Sequence, residues 1–171
     1  MIHTLETRPA APATIAPRGG TFVIFDLFGQ TMGVDVRHVR EILGLQQIAR
    51  LPGARPELAG VIDLRGRCVP IVDLGARFGM SQADAGEDAR IVVFDIEMAD
   101  RSCQLGVTAD RVRDVAWIEG NRIEPASGQG AAGWDGRGLI GATRRDGKLV
   151  FLLDITHFLA PYCDAALTET V

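Results

Sequence analysis

Gly128-Gln129-Gly130-Ala131-Ala132-Gly133 spells GxGxxG. Those letters grip a pyrophosphate through backbone amides only when the loop leaves a strand and opens a helix. Pro125 stands shortly before it and Trp134-Asp135-Gly136 directly after, so neither element is expected and the segment reads as a Gly/Ala loop. Gly141 to Gly147-Lys148 comes near a phosphate loop, but its glycines are one residue too far apart and Leu149 stands where a magnesium-binding hydroxyl is needed. That stretch reads as a hairpin. His3, His38 and His157 fall in unrelated segments with no HxxH or HExxH spacing, so no metal site is expected. Cys68, Cys103 and Cys163 are odd in number and widely spaced, suggesting neither a disulfide framework nor a CxxC site. Cys68 and Cys103 lie in strand-like runs and read as packing groups. No serine sits in a GxSxG elbow and no cysteine has a catalytic context. The expectation is a chain with no catalytic residue, cofactor or metal.

A different kind of signal runs from Leu51 to Leu74: a Pro-punctuated loop, an apolar strand, a turn at Gly66 and a returning strand, Val69-Pro70-Ile71-Val72-Asp73-Leu74. By the two-residue period of a strand, Asp63 and Arg65 share a face, with Arg67 beyond the turn. On spacing alone Arg65 is a solvated hairpin charge.

The elements that would position these residues are short. Apolar runs such as Phe22-Val23-Ile24-Phe25 and Ile91-Val92-Val93-Phe94 fall far short of the roughly 20 residues that cross a bilayer. The 171 residues, 47% of them apolar, are enough for an ordinary core. Residues 1–19, rich in Pro, Ala and Thr, carry neither the apolar core nor the cationic start of a secretory signal; they read as a tail on a cytoplasmic protein. A net charge of −4 with both signs interspersed lacks the basic face that nucleic acid requires.

The pattern occurs twice. Val23-Ile24-Phe25-Asp26-Leu27 returns as Val92-Val93-Phe94-Asp95-Ile96, and the stretch from Gly33 through Val39-Arg40-Glu41-Ile42 returns from Gly106 through Val112-Arg113-Asp114-Val115. Gly60-Val61-Ile62 is matched to Gly138-Leu139-Ile140, and Val72-Asp73-Leu74 with Phe78 to Leu153-Asp154-Ile155 with Leu159. A repeat of about seventy residues with about five short strands suits a small barrel. The fold expected is mainly β, two such barrels in residues 20–162, with halves at about 20–80 and 89–162. Asp146-Gly147 is the clearest hairpin turn. Short helices are expected around Val36 to Leu43, at Asp73 to Phe78 and at Asp154 to Leu159, the last two capped by their aspartates. Ser81 to Asp88 reads as an exposed link, and Pro125 to Gly136 as a loop interrupting the second barrel.

From Phe22 to Leu159 the chain resembles the CheW family. The resemblance rests on Val34-Asp35-Val36 with Val39-Arg40-Glu41-Ile42, Leu51-Pro52, Gly60 through Gly66, Val69 through Leu74, and Arg77-Phe78-Gly79. It implies two five-stranded SH3-like barrels and no catalysis. The implied role is an adaptor between the cytoplasmic tip of a methyl-accepting chemoreceptor and the regulatory domain of a CheA-type histidine kinase, recruited to receptor arrays at the inner membrane. A receptor-contacting groove between the barrels is implied, with Glu41 of V-x-E-I paired to Arg65 of the N-L-R-G motif and Val39, Gly60 and Gly66 nearby; kinase-binding residues are not assigned. Two departures stand out: Asp63 replaces the family's usual asparagine, where it could compete with Glu41 for Arg65, and Gly75 replaces the arginine that commonly follows V-D-L. The alternatives are an adaptor of a chemosensory system governing pili, biofilm or second messenger, a small enzyme using the Gly128 loop for nucleotide, and a structural partner of some other complex. An added receiver domain of the CheV type is not expected after Leu159.

Overall fold

The computed structural model describes residues 18–80, 86–125 and 137–168, with side chains through 164. The Gly128 motif, most of the Pro125 to Gly136 loop and the first part of the Ser81 to Asp88 link lie outside the described residues. The strands in chain order are β1 (Gly20–Leu27), β2 (Gln30–Asp35), β3 (Val39–Gly44), β4 (Leu58–Leu64), β5 (Arg67–Val72), β6 (Arg90–Glu97), β7 (Ser102–Ala109), β8 (Arg111–Ile118), β9 (Glu124–Pro125), β10 (Leu139–Arg145) and β11 (Lys148–Leu153). Helices α1 (Leu74–Phe78) and α2 (Ile155–Thr168) follow β5 and β11. The architecture is mainly β with few helices.

The sheets do not divide along the halves of the sequence. One runs β8-β1-β2-β11-β10-β9 and the other β3-β6-β7-β5-β4. Each therefore takes its first hairpin from one half and its remaining long strands from the other, the exchange being made by parallel pairs β2·β11 and β5·β7. Apart from the two-residue β9, the five-strand orders are the same once each strand is replaced by its repeat mate.

Both faces of the central strands are buried, which is why they read as unbroken apolar runs. Val23, Phe25 and Leu27 of β1 join Val92, Phe94 and Ile96 of β6 in one large cluster. The alternate residues serve two smaller clusters, Phe22 and Ile24 with Val150 and Leu152, and Ile91 and Val93 with Ile62 and Val69. Helix α2 contributes Ile155, Phe158, Leu159 and Tyr162 to the large cluster. Complete burial of a side chain such as Phe94 stabilises by about 2–3 kcal/mol.

Several local expectations are corrected. Only Val36–His38 of the first expected helix turns, as a 3-10 helix, before β3 begins; the branched Val39 and Ile42 favour the strand. The last helix runs on to Thr168, through Pro161, because its apolar face continues past Leu159 to Tyr162 and Cys163. Both aspartate caps are present: Asp73 accepts from the Ala76 amide at 3.1 Å and Asp154 from the His157 amide at 3.4 Å. Cys103 is not simply a packing group but is disulfide-bonded to Cys163, tying β7 to α2, and the Arg101–Asp164 ion pair spans the same two elements' ends. Cys68 is exposed on β5 rather than packed.

The register of the repeat also changes at one landmark. Gly60 follows a bulge in β4, and a Cβ there would overlap the Ala49 carbonyl. Gly141 follows the matching bulge in β10, and a Cβ there would overlap the Glu124 carbonyl. Gly60-Val61-Ile62 therefore corresponds to Gly141-Ala142-Thr143, not Gly138-Leu139-Ile140.

Candidate functional site

Strand β3 bulges at Arg40: Val39 pairs with Phe94 and Glu41 with Val93, leaving Arg40 without a partner in the register. A bulge re-aims the side chains on either side of it. Val39 packs half-buried against the large cluster. Arg40 reaches Asp95 at 3.1 Å, and Glu41 turns toward the β4–β5 hairpin.

That hairpin is a two-residue connection, Arg65-Gly66, with both residues at positive φ (54° and 81°) and Leu64 paired to Arg67. This is the geometry of a type I′ turn, whose twist matches the flanking strands. Arg65 is thus a turn residue, and it does not share a strand face with Asp63. From the turn its guanidinium donates to both carboxylate oxygens of Glu41, at 3.1 and 2.9 Å. A two-point contact of this kind fixes orientation as well as distance. The Arg65 side chain stays 73% exposed while Glu41 is only 20% exposed, so the carboxylate holds the cation from beneath. Because β3 and β4 are the outer strands of their sheet, the pair bridges one outer strand and the hairpin that ends the other.

Asp63 does not compete for Arg65. Its carboxylate accepts from the Gly66 amide at 2.8 Å, a contact within its own turn. Gly75 also has a steric account: any Cβ at that position would run into the ring of Phe28. Phe28 heads the β1–β2 turn at φ 54°, held there by its amide donating to Asp110 at 2.8 Å. The aromatic ring occupies the space a side chain at 75 would take.

Of the five groove residues expected from sequence, the structure brings Glu41, Arg65 and Gly66 together. Val39 lies two residues before Glu41 on the cluster-facing side of β3. Gly60 is five residues along β4 from Arg65, roughly 15 Å at strand rise, buried against the Ala49 backbone.

Sequence reasoning passed over the second site of the same design. In β8 the bulged residue is Arg113, between the Val112–Phe25 and Asp114–Ile24 pairs. Arg113 donates to Asp26 at 2.7 Å, and Asp114 accepts from both terminal nitrogens of Arg145 at 3.0 Å. Burial pushes the Asp26 carboxyl up, but the Arg113 and Thr31 hydrogen bonds and the charges of Arg113 and Lys148 outweigh it, leaving Asp26 below the usual aspartate range. Asp114 is lowered too, by the Arg145 hydrogen bond against some desolvation. The signal was available in the repeat, since Arg113-Asp114 aligns with Arg40-Glu41.

Among the described residues, no group of three or more His, Cys, Asp or Glu is placed to hold a metal ion, and no helix is long and apolar enough to cross a membrane. The fold and site define a duplicated two-sheet β protein whose charged side chains gather at the mouths of its sheets. The sequence profile of the CheW-like domain matches residues 21–161, and the chain belongs to that family. It is 30% identical to the chemotaxis protein CheW of Bacillus subtilis over 63% of this chain and 67% of that protein. It is 34% identical to that of Klebsiella aerogenes over 63% of each, and 28% identical to that of Thermotoga maritima over 79% of this chain and 84% of that one. The alignment with the Klebsiella protein thus spans less than two thirds of either chain. Among solved structures it is similar to the scaffolding protein TtCheW of Thermoanaerobacter tengcongensis, with a TM-score of 0.71 and 29% identity, covering 84% of this chain and 88% of that one. This agrees with the pair of SH3-like barrels expected from sequence.

Proposed function

We propose that this chain is a non-catalytic adaptor of chemotaxis signal transduction. It holds the cytoplasmic tip of a chemoreceptor and the regulatory domain of a CheA-type histidine kinase in one assembly, at receptor arrays on the inner membrane. The observation that carries the reading is the Glu41–Arg65 pair: a largely exposed guanidinium, fixed by two hydrogen bonds, on the hairpin that carries the family's motif. Val39, Glu41, Gly60, Arg65 and Gly66 are assigned to the receptor groove, Gly60 through the backbone approach that sets the course of β4.

The mechanism is geometric. Holding two partners on separate surfaces makes their encounter intramolecular, with effective concentrations near millimolar for short tethers. No covalent bond need change.

The test is reconstitution of kinase autophosphorylation with receptor and increasing amounts of this protein. Activity is expected to rise and then to fall when excess adaptor occupies each partner separately. Arg65→Ala should weaken receptor co-sedimentation about tenfold while leaving the melting temperature close to wild type. Kinase activity indifferent to this protein at every ratio overturns the reading; wild-type receptor binding by Arg65→Ala removes the groove assignment.

A further inference from the structure

We propose that the mouth of the sheet formed by β1, β2, β8, β10 and β11 is a docking site for an acidic peptide segment of a partner protein. The inference does not rest on the adaptor reading and concerns the sheet that lacks the Glu41–Arg65 pair.

A cleft of about 450 Å³ opens there. Its floor includes the buried Ile24 and Val150, and its walls carry Arg111, Arg113, Arg145 and Lys148. Two of these cations are already engaged, Arg113 by Asp26 and Arg145 by Asp114. Those carboxylates are in turn satisfied: Asp26 also accepts from the Thr31 hydroxyl at 2.9 Å, and Asp114 takes both terminal nitrogens of Arg145. Arg111, at the start of β8, and Lys148, at the start of β11, make no ion pair among the described residues. Asp146 stands at the exposed tip of its turn. With Asp26 counted beside its partner Arg113, four cations face three carboxylates, and the surplus positive charge is that of Arg111 and Lys148 against Asp146.

A cleft with a surplus of positive charge draws acidic segments to one place. Peptide is favoured over nucleic acid because Asp114 and Asp146 interrupt the positive wall. A continuous phosphate track would meet them, whereas spaced carboxylates can take the two free cations and lay an apolar neighbour over the floor. Arginine in particular grips carboxylates at two points.

The experiment is fluorescence anisotropy of a labelled hexaglutamate peptide titrated with the full chain at low and at physiological salt. Saturable binding is expected, weakening with salt. The double variant Arg111→Glu with Lys148→Glu should lower affinity about tenfold or more, Arg111→Gln with Lys148→Gln should fall between, and Arg55→Glu, remote from the cleft, should bind as wild type. Thermal melts check that each variant is folded, and the glutamine pair decides the matter should the glutamate pair not fold. Absence of saturable binding at low salt, or equal binding by the glutamine pair, overturns the proposal. So does oligothymidylate or an anionic phospholipid vesicle binding more tightly through the same two residues.

Discussion

The Glu41–Arg65 and Asp114–Arg145 pairs occupy equivalent places in the two sheets and are built differently. Each acid follows a bulged arginine, Arg40 or Arg113, that reaches back to Asp95 or Asp26. Each ties an outer strand to the hairpin across the sheet mouth. In the first sheet the arginine is the leading turn residue; in the second it has moved one place back, to the end of β10 where Leu64 ends β4, and Asp146 takes the turn position. That one-residue move changes what is presented. The Arg65 side chain is 73% exposed, that of Arg145 30%. A shared ion-pair frame can therefore present an exposed, carboxylate-held cation at one mouth and, at the other, leave the exposed positive charge to neighbours such as Arg111 and Lys148.

The largest expected effect tests whether the two halves are equivalent where backbone meets backbone. Gly60→Val and Gly141→Val should each lower stability by about 3 kcal/mol or more, since both side chains would overlap a carbonyl oxygen. Urea melts giving one large and one negligible loss would break the register proposed here for β4 and β10.

A second effect separates the α1 side of the molecule from its counterpart. Gly75→Arg should destabilise by about 1–3 kcal/mol because Phe28 must leave its place. Combined with Phe28→Ala, the cost of the arginine should shrink, a coupling that a double-mutant cycle reads directly. Additive losses would mean that Phe28 does not fill the space of the missing side chain.

Smaller still is the loss expected on removing either arginine from its pair. Both pairs are partly exposed, so Arg65→Ala and Arg145→Ala should each cost no more than about 1 kcal/mol. Co-sedimentation with receptor should separate them, with Arg65→Ala impaired and Arg145→Ala near wild type. Equal impairment would blur the division of labour between the mouths.

The smallest expected effect is a change of slope with pH. Asp26 and Asp114 sit below their ordinary value of 3.8. Their stabilising contribution is therefore complete above that value and is lost as pH falls below it toward the folded-state pKa, where the unfolded chain binds protons first. Asp26→Asn should flatten the acid limb of a melting-temperature profile. An unchanged limb would show that Arg113 and Thr31 do not hold that carboxylate charged.

The sequence by itself determined the strand content, the duplication, the turn at Asp146-Gly147 and the two aspartate caps. All are local matters of periodicity, turn chemistry and side-chain reach within a few residues. It also placed Glu41 and Arg65 in one motif set by resemblance. Tertiary structure alone decided the rest. The exchange of strands between sheets depends on which half of a repeated pattern meets which, and two copies with the same apolar periodicity do not specify that. The Cys103–Cys163 bond joins residues sixty apart whose spacing carries no motif. Phe28 over Gly75 is a contact between distant turns, and Arg65 left the face of Asp63 because a type I′ turn ends the strand's two-residue alternation at Leu64.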